Sequence, residues 1–328
     1  MRNQSYWAGV LALALVACGD DDSGTASSAG NGGAGAAGQR AAQGGASGGI
    51  SPQAGGAGSQ AGGSAAVPAD FTPTQVGGYA LGAELTSDAA PVPAMSMGAG
   101  ACSVISAIVR DFKGADESGG HPDFESFDGE TPTPGLVAAT LGGDGKPAYA
   151  SQCEGSAESA ACPYGQMTSS ADNFRQWYRT ITGVNRAYAL FLQFEPNNGV
   201  QTFQSNDFFP LDGAGFPPGG AKRKGGHNFH FTTEVHARFL YSGGERFSFT
   251  GDDDLWVFVN GRLAIDLGGL HPPASNTLDL DGAASALGIV RGQQYPLDLF
   301  HAERHTEASN FRVDTTLAFT SCGAVTPD

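Results

Sequence analysis

The stretch FTGDDDLWVFVNG, Phe249 to Gly261, sets Asp252, Asp253 and Asp254 side by side in front of a strongly apolar run. Adjacent carboxylates repel, and each raises the pKa of the other. In a chain of net charge −16, such a concentration marks either a solvated turn or a place where a cation sits. The cation that suits carboxylates is a hard one. Calcium takes six to eight oxygen ligands at about 2.3–2.6 Å, drawn from carboxylates, amide oxygens and backbone carbonyls. Two neighbouring carboxylates do not fill that shell, so a second loop must contribute.

Other chemistries find less support. The motif HAERH puts His301, Glu303 and His305 on one face of a strand, and His230 and His236 share a face of another. Glu303 is misplaced for HExxH and for HxxEH, and both motifs require a helix. These histidines therefore read as polar or packed residues of a sheet. TLDLDGAASALG fails as an EF-hand loop, with Thr277 in place of the first ligand and Gly288 in place of the bidentate Glu. It reads as a strand with a turn. No GxSxG, Walker A or strand-following GxGxxG occurs, so the chain is expected to bind rather than to catalyse. A carboxylate pair for glycoside hydrolysis can be drawn from 33 acidic residues in too many ways to point anywhere. Nucleic acid is excluded as a partner by 17 basic against 33 acidic residues. The basic cluster Lys222, Arg223 and Lys224 sits in a Pro/Gly-flanked loop and reads as solvated. Arg304 and Arg312 are expected to pair with acidic neighbours.

The elements that must hold the aspartates are strands. CSVISAIVRDF is a β-branched run, HNFHFTTEVHARFLY alternates along its length, and ERFSFTG is another strand. LWVFVNGRLAID is a hairpin with Asn260-Gly261 as a type I′ turn. A two-residue turn pairs Val259 with Arg262, Trp256 with Ile265 and Asp254 with Leu267. Asp252 and Asp253 then lie beside Gly268, Gly269 and Leu270, at the end opposite the turn, where a sheet edge meets loops. Asp254 merely starts the strand in this reading. YPLDLFHAERH and NFRVDTTLAF are two further strands, and ADNFRQWYRT is a helix with Asp172 or Asn173 as N-cap. The fold expected is all-β, an antiparallel sandwich or barrel with long loops, preceded by a disordered linker.

The N-terminus has a positive Arg2 and an apolar run, Trp7 to Ala17, too short to span a bilayer of ~30 Å. It ends in LVAC, which resembles the lipobox of bacterial lipoproteins. That resemblance implies a signal peptide over residues 1–17, lipidation of Cys18, and outer-membrane or cell-surface residence, since Gly19 is not the Asp of inner-membrane retention. Residues 18–67 are Gly, Ala, Ser and Gln with almost no large apolar side chain, the composition of a flexible tether. About 50 residues of this kind reach roughly 40 Å. Residues 68–328 form the β domain. Its four cysteines, Cys102, Cys153, Cys162 and Cys322, lack CxxC spacing and read as two disulfides in an exported chain. Of three possible pairings, Cys153 with Cys162 closes a short loop and Cys102 with Cys322 clamps the two ends of the domain.

HPDFE (His121 to Glu125), HNFHFTTEVHARF, FTGDDDLWVFVNGRLAIDLGGLH and YPLDLFHAERHTEASNFRVDTTL closely resemble the fibro-slime domain of bacterial surface proteins. That domain is similar to the wider PA14 family, and the resemblance covers about Arg110 to Phe319. It implies a β-sandwich or barrel used in many members as a carbohydrate-binding module. In lectin-type members two adjacent aspartates joined by a cis peptide coordinate calcium, a later asparagine completes the site, and sugar hydroxyls ligate the same ion. Carried over, the metal residues are Asp252, Asp253 and Asn310, with Gly269 and His271 expected at the ligand. Asp254 stands where the family has glycine or a small residue, so the choice of two aspartates from three stays open. The function implied is a surface-anchored, calcium-dependent adhesin for an extracellular polysaccharide or glycan, held to the membrane through its lipid. The alternatives are a structural slime-matrix protein with a stabilising calcium, and a polysaccharide-acting enzyme.

Overall fold

The computed structural model describes residues 77–86, 102–150, 162–216, 224–323 and 325, together with 153, 155, 158 and 159. The expected signal peptide, Cys18 and the 18–67 tether lie outside the described residues, as do Lys222 and Arg223. The chain enters the sheets through β1 (Tyr79–Glu84), β2 (Val104–Phe112), β3 (Asn185–Gln193), β4 (Glu195–Asn197) and β5 (Val200–Ser205). It continues through β6 (Phe231–Tyr241), β7 (Arg246–Gly251), β8 (Asp254–Val259) and β9 (Arg262–Leu267). The last strands are β10 (Ala274–Asp279), β11 (Gln293–Glu303), β12 (Phe311–Thr315) and β13 (Ala318–Ser321). Two sheets result, one in the order β1-β3-β2-β6-β11-β8-β9 with β13 also on β6, the other β10-β7-β12-β5-β4. All pairings between these strands are antiparallel, so the domain is an all-β sandwich.

Between the sheets lies the main core. Val235, Ala237, Leu255, Val257, Leu297 and Leu299 of the larger sheet meet Phe203, Phe247, Phe249, Phe311 and Val313 of the smaller. The smaller sheet keeps one face in contact with solvent, and β12 alternates accordingly. The larger sheet does not. Its second face carries Trp256, Phe258 and Phe300, which pack with Phe124, Leu136, Phe174, Trp177 and Tyr178 from the long excursion between β2 and β3. Hence β8 is buried at all six positions, although it lies next to the sheet edge. Each apolar side chain fully buried there contributes about 1.5–3 kcal/mol.

Charge is buried under the same cover. Glu234 of β6, fully buried, accepts from Arg110 Nη1 at 2.6 Å and also binds Lys146 Nζ and His236 Nε2. His236 Nδ1 lies 2.6 Å from Asp298. Burial alone would lower the pKa of His236, but Asp298 and Glu234 outweigh it and hold it at about 9. Two cations and a protonated imidazole thus surround the two carboxylates, so neither carboxylate is buried without a counter-charge.

Both disulfides join the expected partners. Cys102 is bonded to Cys322 and Cys153 to Cys162, with Cα separations of 5.4 and 5.7 Å. The hairpin differs from expectation. Val259 does pair with Arg262, but a bulge between Val257 and Phe258 shifts the rest, so Val257 faces Ile265 and Leu255 faces Leu267. One extra residue on β9, Ala264, accounts for the slip. The segment read as strand-plus-turn divides: β10 passes directly into α2 (Leu280–Leu287), where the Asp279 carboxylate caps the amides of Asp281 and Gly282. The expected helix ADNFRQWYRT is helical only over α1 (Ala171–Phe174), capped by Ser170 rather than by Asp172 or Asn173. Trp177 and Tyr178, adjacent in sequence, are both fully buried, and continuing turns rather than one helix face accommodate them.

Candidate functional site

The three aspartates occupy the crossing from β7 in the smaller sheet to β8 in the larger one. Gly251, opposite Phe311, lets the backbones close: a Cβ there would stand 2.4 Å from the carbonyl oxygen of Asn310. The next peptide, Asp252-Asp253, is cis. Asp252 accepts at Oδ2 from Asn310 Nδ2 at 2.9 Å and at Oδ1 from the Asn310 backbone amide. Its carbonyl lies 2.8 Å from His301 Nε2. Asp253 takes both of its hydrogen bonds at Oδ2, from the backbone amides of Arg304 and His305 at 3.0 and 3.1 Å. Among the described residues Oδ1 has none, on a residue that lines an open cavity.

Asp254 has a different task from the one expected of it. Alternation along β8 puts it on the side of Trp256 and Phe258, the covered face of the larger sheet. There Oδ2 lies 2.6 Å from Arg304 Nε, both side chains are fully buried, and Oδ1 accepts from Gly269 N. Arg304 Nη1 donates to the carbonyls of Asp123 and Met167, and its guanidinium lies 4.6 Å above the Trp177 ring. Asp254 is therefore the buried anchor of the loop whose amides hold Asp253. It does more than start a strand.

A second strap crosses from the 121–125 segment. Glu125, at φ +63°, accepts from His230 Nε2 at 3.0 Å and from the backbone and hydroxyl of Thr306, while its own amide donates to Arg304 O. Burial would raise its pKa, but the bonds from His230 and Thr306 prevail and bring it down to about 2. Asp123 accepts from Trp177 Nε1 and the Ser169 amide. Sequence reading names HPDFE without giving these residues a role, because their partners are up to 181 positions away.

The cavity in front of the pair has a volume of about 660 Å³. Asp252 and Asp253 lie in it with Leu270, His271, Pro272, Pro273 and Tyr164, while Asp128, Glu130 and Glu307 are exposed at its rim. His271 is thus brought to the site; its ring nitrogens face the carbonyls of Leu267 and Pro272. Gly269 is not at the wall. At φ +91° it packs against Thr133 and gives its amide to Asp254. Asn310 touches Asp252 but does not line the cavity, so its place is that of a positioning residue. His301 and Glu303 point between the sheets, whereas His305 follows the strand and lies 3.4 Å from Asp128. No group of three or more His, Cys, Asp or Glu among the described residues is arranged to hold a metal.

Burial raises the pKa of Asp252 against the bonds from Asn310, and raises that of Asp253 to about 7 against the charge of Arg304, with Asp254 adding to the rise. Behind them the buried Glu303 is pushed well above the carboxylate range by burial and by both aspartates, and its Oε2 has no hydrogen-bond partner. The pocket thus holds more acid than its protein cations offset. The donors that Asp252 and Asp253 present are carboxylate oxygens. That chemistry fits a hard cation such as calcium.

Residues 221–327 match the model of the PA14 domain. Two curated relatives from Dictyostelium discoideum are similar over much of the chain. Protein psiR is 37% identical over 211 residues, 61% of this chain and 20% of its own length. Protein psiD is 41% identical over 197 residues, 58% of this chain and 37% of its own length. The chain therefore spans a fifth to two-fifths of these relatives. Among solved structures, a PA14 sugar-binding domain from an RTX adhesin aligns over 40% of this chain and 81% of its own, at 10% identity and a TM-score of 0.22.

Proposed function

From the match to the PA14 domain and the cavity behind it, we propose that this chain binds an extracellular glycan through a calcium ion held on Asp252 and Asp253. The observation that carries the reading is a pair of adjacent, nearly buried carboxylates facing one open cavity that Tyr164 also lines. The ion supplies a hard Lewis acid to which two neighbouring hydroxyls can coordinate. Asn310, Arg304 and His305 fix the orientation of the two carboxylates. Tyr164, Leu270 and the two prolines offer apolar surface for a sugar ring. The match of Thr250-Gly251-Asp252-Asp253 to the lectin-type pattern supports the same reading.

With calcium at a hundredfold excess over its Kd, the domain gains about 2.7 kcal/mol. Its melting temperature should therefore be higher in millimolar calcium than in chelator. Asp253→Ala should abolish that difference while leaving the far-UV spectrum of the sheets intact. Calorimetric titration showing no calcium binding, or binding undiminished in Asp252→Ala/Asp253→Ala, overturns the site. A glycan array run with and without chelator tests the sugar.

A second reading is favoured by the ties on the pair. Asp252 and Asp253 each join β7–β8 to the loop between β11 and β12, so an ion there also staples the sandwich. A calcium-dependent melting temperature without any glycan binding selects this structural role.

The anchor is a separate proposal, resting on the LVAC sequence and the tether composition. Fatty-acid labelling of the wild-type chain, lost in Cys18→Ser together with membrane fractionation, is the expected result. A Cys18→Ser chain that still sediments with membranes places the attachment elsewhere.

A further inference from the structure

A second cavity, of about 270 Å³, adjoins the one in front of the aspartates. Glu307 and Ala308, both exposed, line both cavities, so this two-residue crest of the loop between β11 and β12 is their common wall. Across from the crest the second cavity is walled by the segment between β5 and β6, through Asp207, Phe209, His227 and Phe229. The aromatic side of it is firmly built. The His227 ring stacks on Phe209, with centroids 4.1 Å apart and planes 14° apart, and Phe229 meets Phe209 edge-on at 4.8 Å. His227 Nδ1 is bonded to Asp212 Oδ2, and Asp212 Oδ1 accepts from the Asn228 amide at 2.9 Å. The crest is fixed as well, because Asp207 bridges to Ser309, whose carbonyl accepts from Phe208 N at 3.0 Å. Phe209 and Phe229 are buried, yet 43% of the His227 side chain remains accessible. Its Nε2 has no hydrogen-bond partner among the described residues. The imidazole is thus oriented by a carboxylate and a phenyl ring without being enclosed.

We propose that this second cavity is a sugar subsite, so that one glycan chain crosses the Glu307–Ala308 crest with one residue at Asp252 and Asp253 and a later one on the His227 ring. The inference rests on the sugar-binding reading above. A pyranose presents an apolar face of C–H groups ringed by hydroxyls. An oriented aromatic plane with polar groups at its margin recognises that combination. His227 supplies the plane, and its Nε2 supplies a hydrogen-bonding partner for a hydroxyl of the same ring. Because the two cavities share a wall, a chain bound in the first is held at high effective concentration over the second. Affinity then climbs with chain length although the second subsite is weak by itself.

The test titrates the full chain in millimolar calcium with size-graded oligomers of mannose, galactose, glucose and N-acetylglucosamine, from one residue to six. In the series that binds, the expected result is an affinity that rises at least about tenfold from the monosaccharide to the hexasaccharide. His227→Gln should remove that rise while leaving the affinities for calcium and for the monosaccharide in place. His227→Phe, which keeps a ring over Phe209, should retain most of it. Equal affinity for short and long oligomers, a rise undiminished in His227→Gln, or a loss just as large in His227→Phe overturns the subsite and leaves the calcium–sugar reading standing. Calcium binding with no binding of any oligomer overturns that reading, and the subsite with it.

Discussion

Asp254→Ala lowers the stability of the domain by about 3–5 kcal/mol, because it leaves the Arg304 guanidinium buried without its counter-charge. Both side chains are fully buried and their contact is 2.6 Å. Among the described residues no other carboxylate is hydrogen-bonded to Arg304, whose remaining bonds run to two carbonyls. Arg304→Met should cost a similar amount by stranding Asp254. The double variant should lose much less than the sum of the two, with a coupling energy above about 2 kcal/mol. Urea denaturation of the four chains measures all of these terms. A loss below 1 kcal/mol in Asp254→Ala rejects the ion pair as an anchor. The same substitution should weaken calcium binding although Asp254 is no ligand, because the Arg304 and His305 amides that orient Asp253 sit on the loop it secures.

Cys102→Ser/Cys322→Ser should cost more than any other covalent change in the described domain. The bond spans 220 residues, and closing a loop of that length removes about 5 kcal/mol of unfolded-state freedom on the chain-entropy model. The Cys153–Cys162 bond closes a separation of only 9, for which the same model gives about 2.5 kcal/mol. Melting of the two double variants should therefore rank in that order, with the long closure showing the larger fall. Equal losses, or a larger loss from Cys153→Ser/Cys162→Ser, refute the argument from loop length.

The sequence shows some of this architecture clearly, and the residues explain where it stops. β6 and the β8–β9 turn are legible because alternation and Asn-Gly are local signals. The helix α2 is written at Leu280, Ala283, Ala284 and Leu287, a helical spacing hidden behind the alternating start of TLDLDG. The bulge that shifts β9 has no sequence mark, since Ala264 fits either register. The cover over the larger sheet is least legible. Its residues from Phe124 to Tyr178 follow neither period, and their burial depends on a face that strand alternation alone would give to solvent. The third aspartate shows the same limit. Adjacency in sequence groups Asp254 with Asp252 and Asp253, while the pleat sends it to the opposite face, to an arginine 50 residues away.

The ends of the larger sheet are unlike. Tyr79 faces Leu192, and Leu192 faces Ile105, close to the Cys102–Cys322 bond. At the other end Phe231 faces Asp111 and Glu303, and Asp254 faces Ala302, beside the cavity. If the chain were pulled at Tyr79 against a ligand seated, as proposed, on Asp252 and Asp253, tension would enter the sheet at one end and leave at the other. It would run along β2, β6 and β11, loading their rows of hydrogen bonds in shear instead of opening them one at a time. Detachment would then be set by the unfolding rate along this axis or by the lifetime of the proposed ligand contact, whichever fails first.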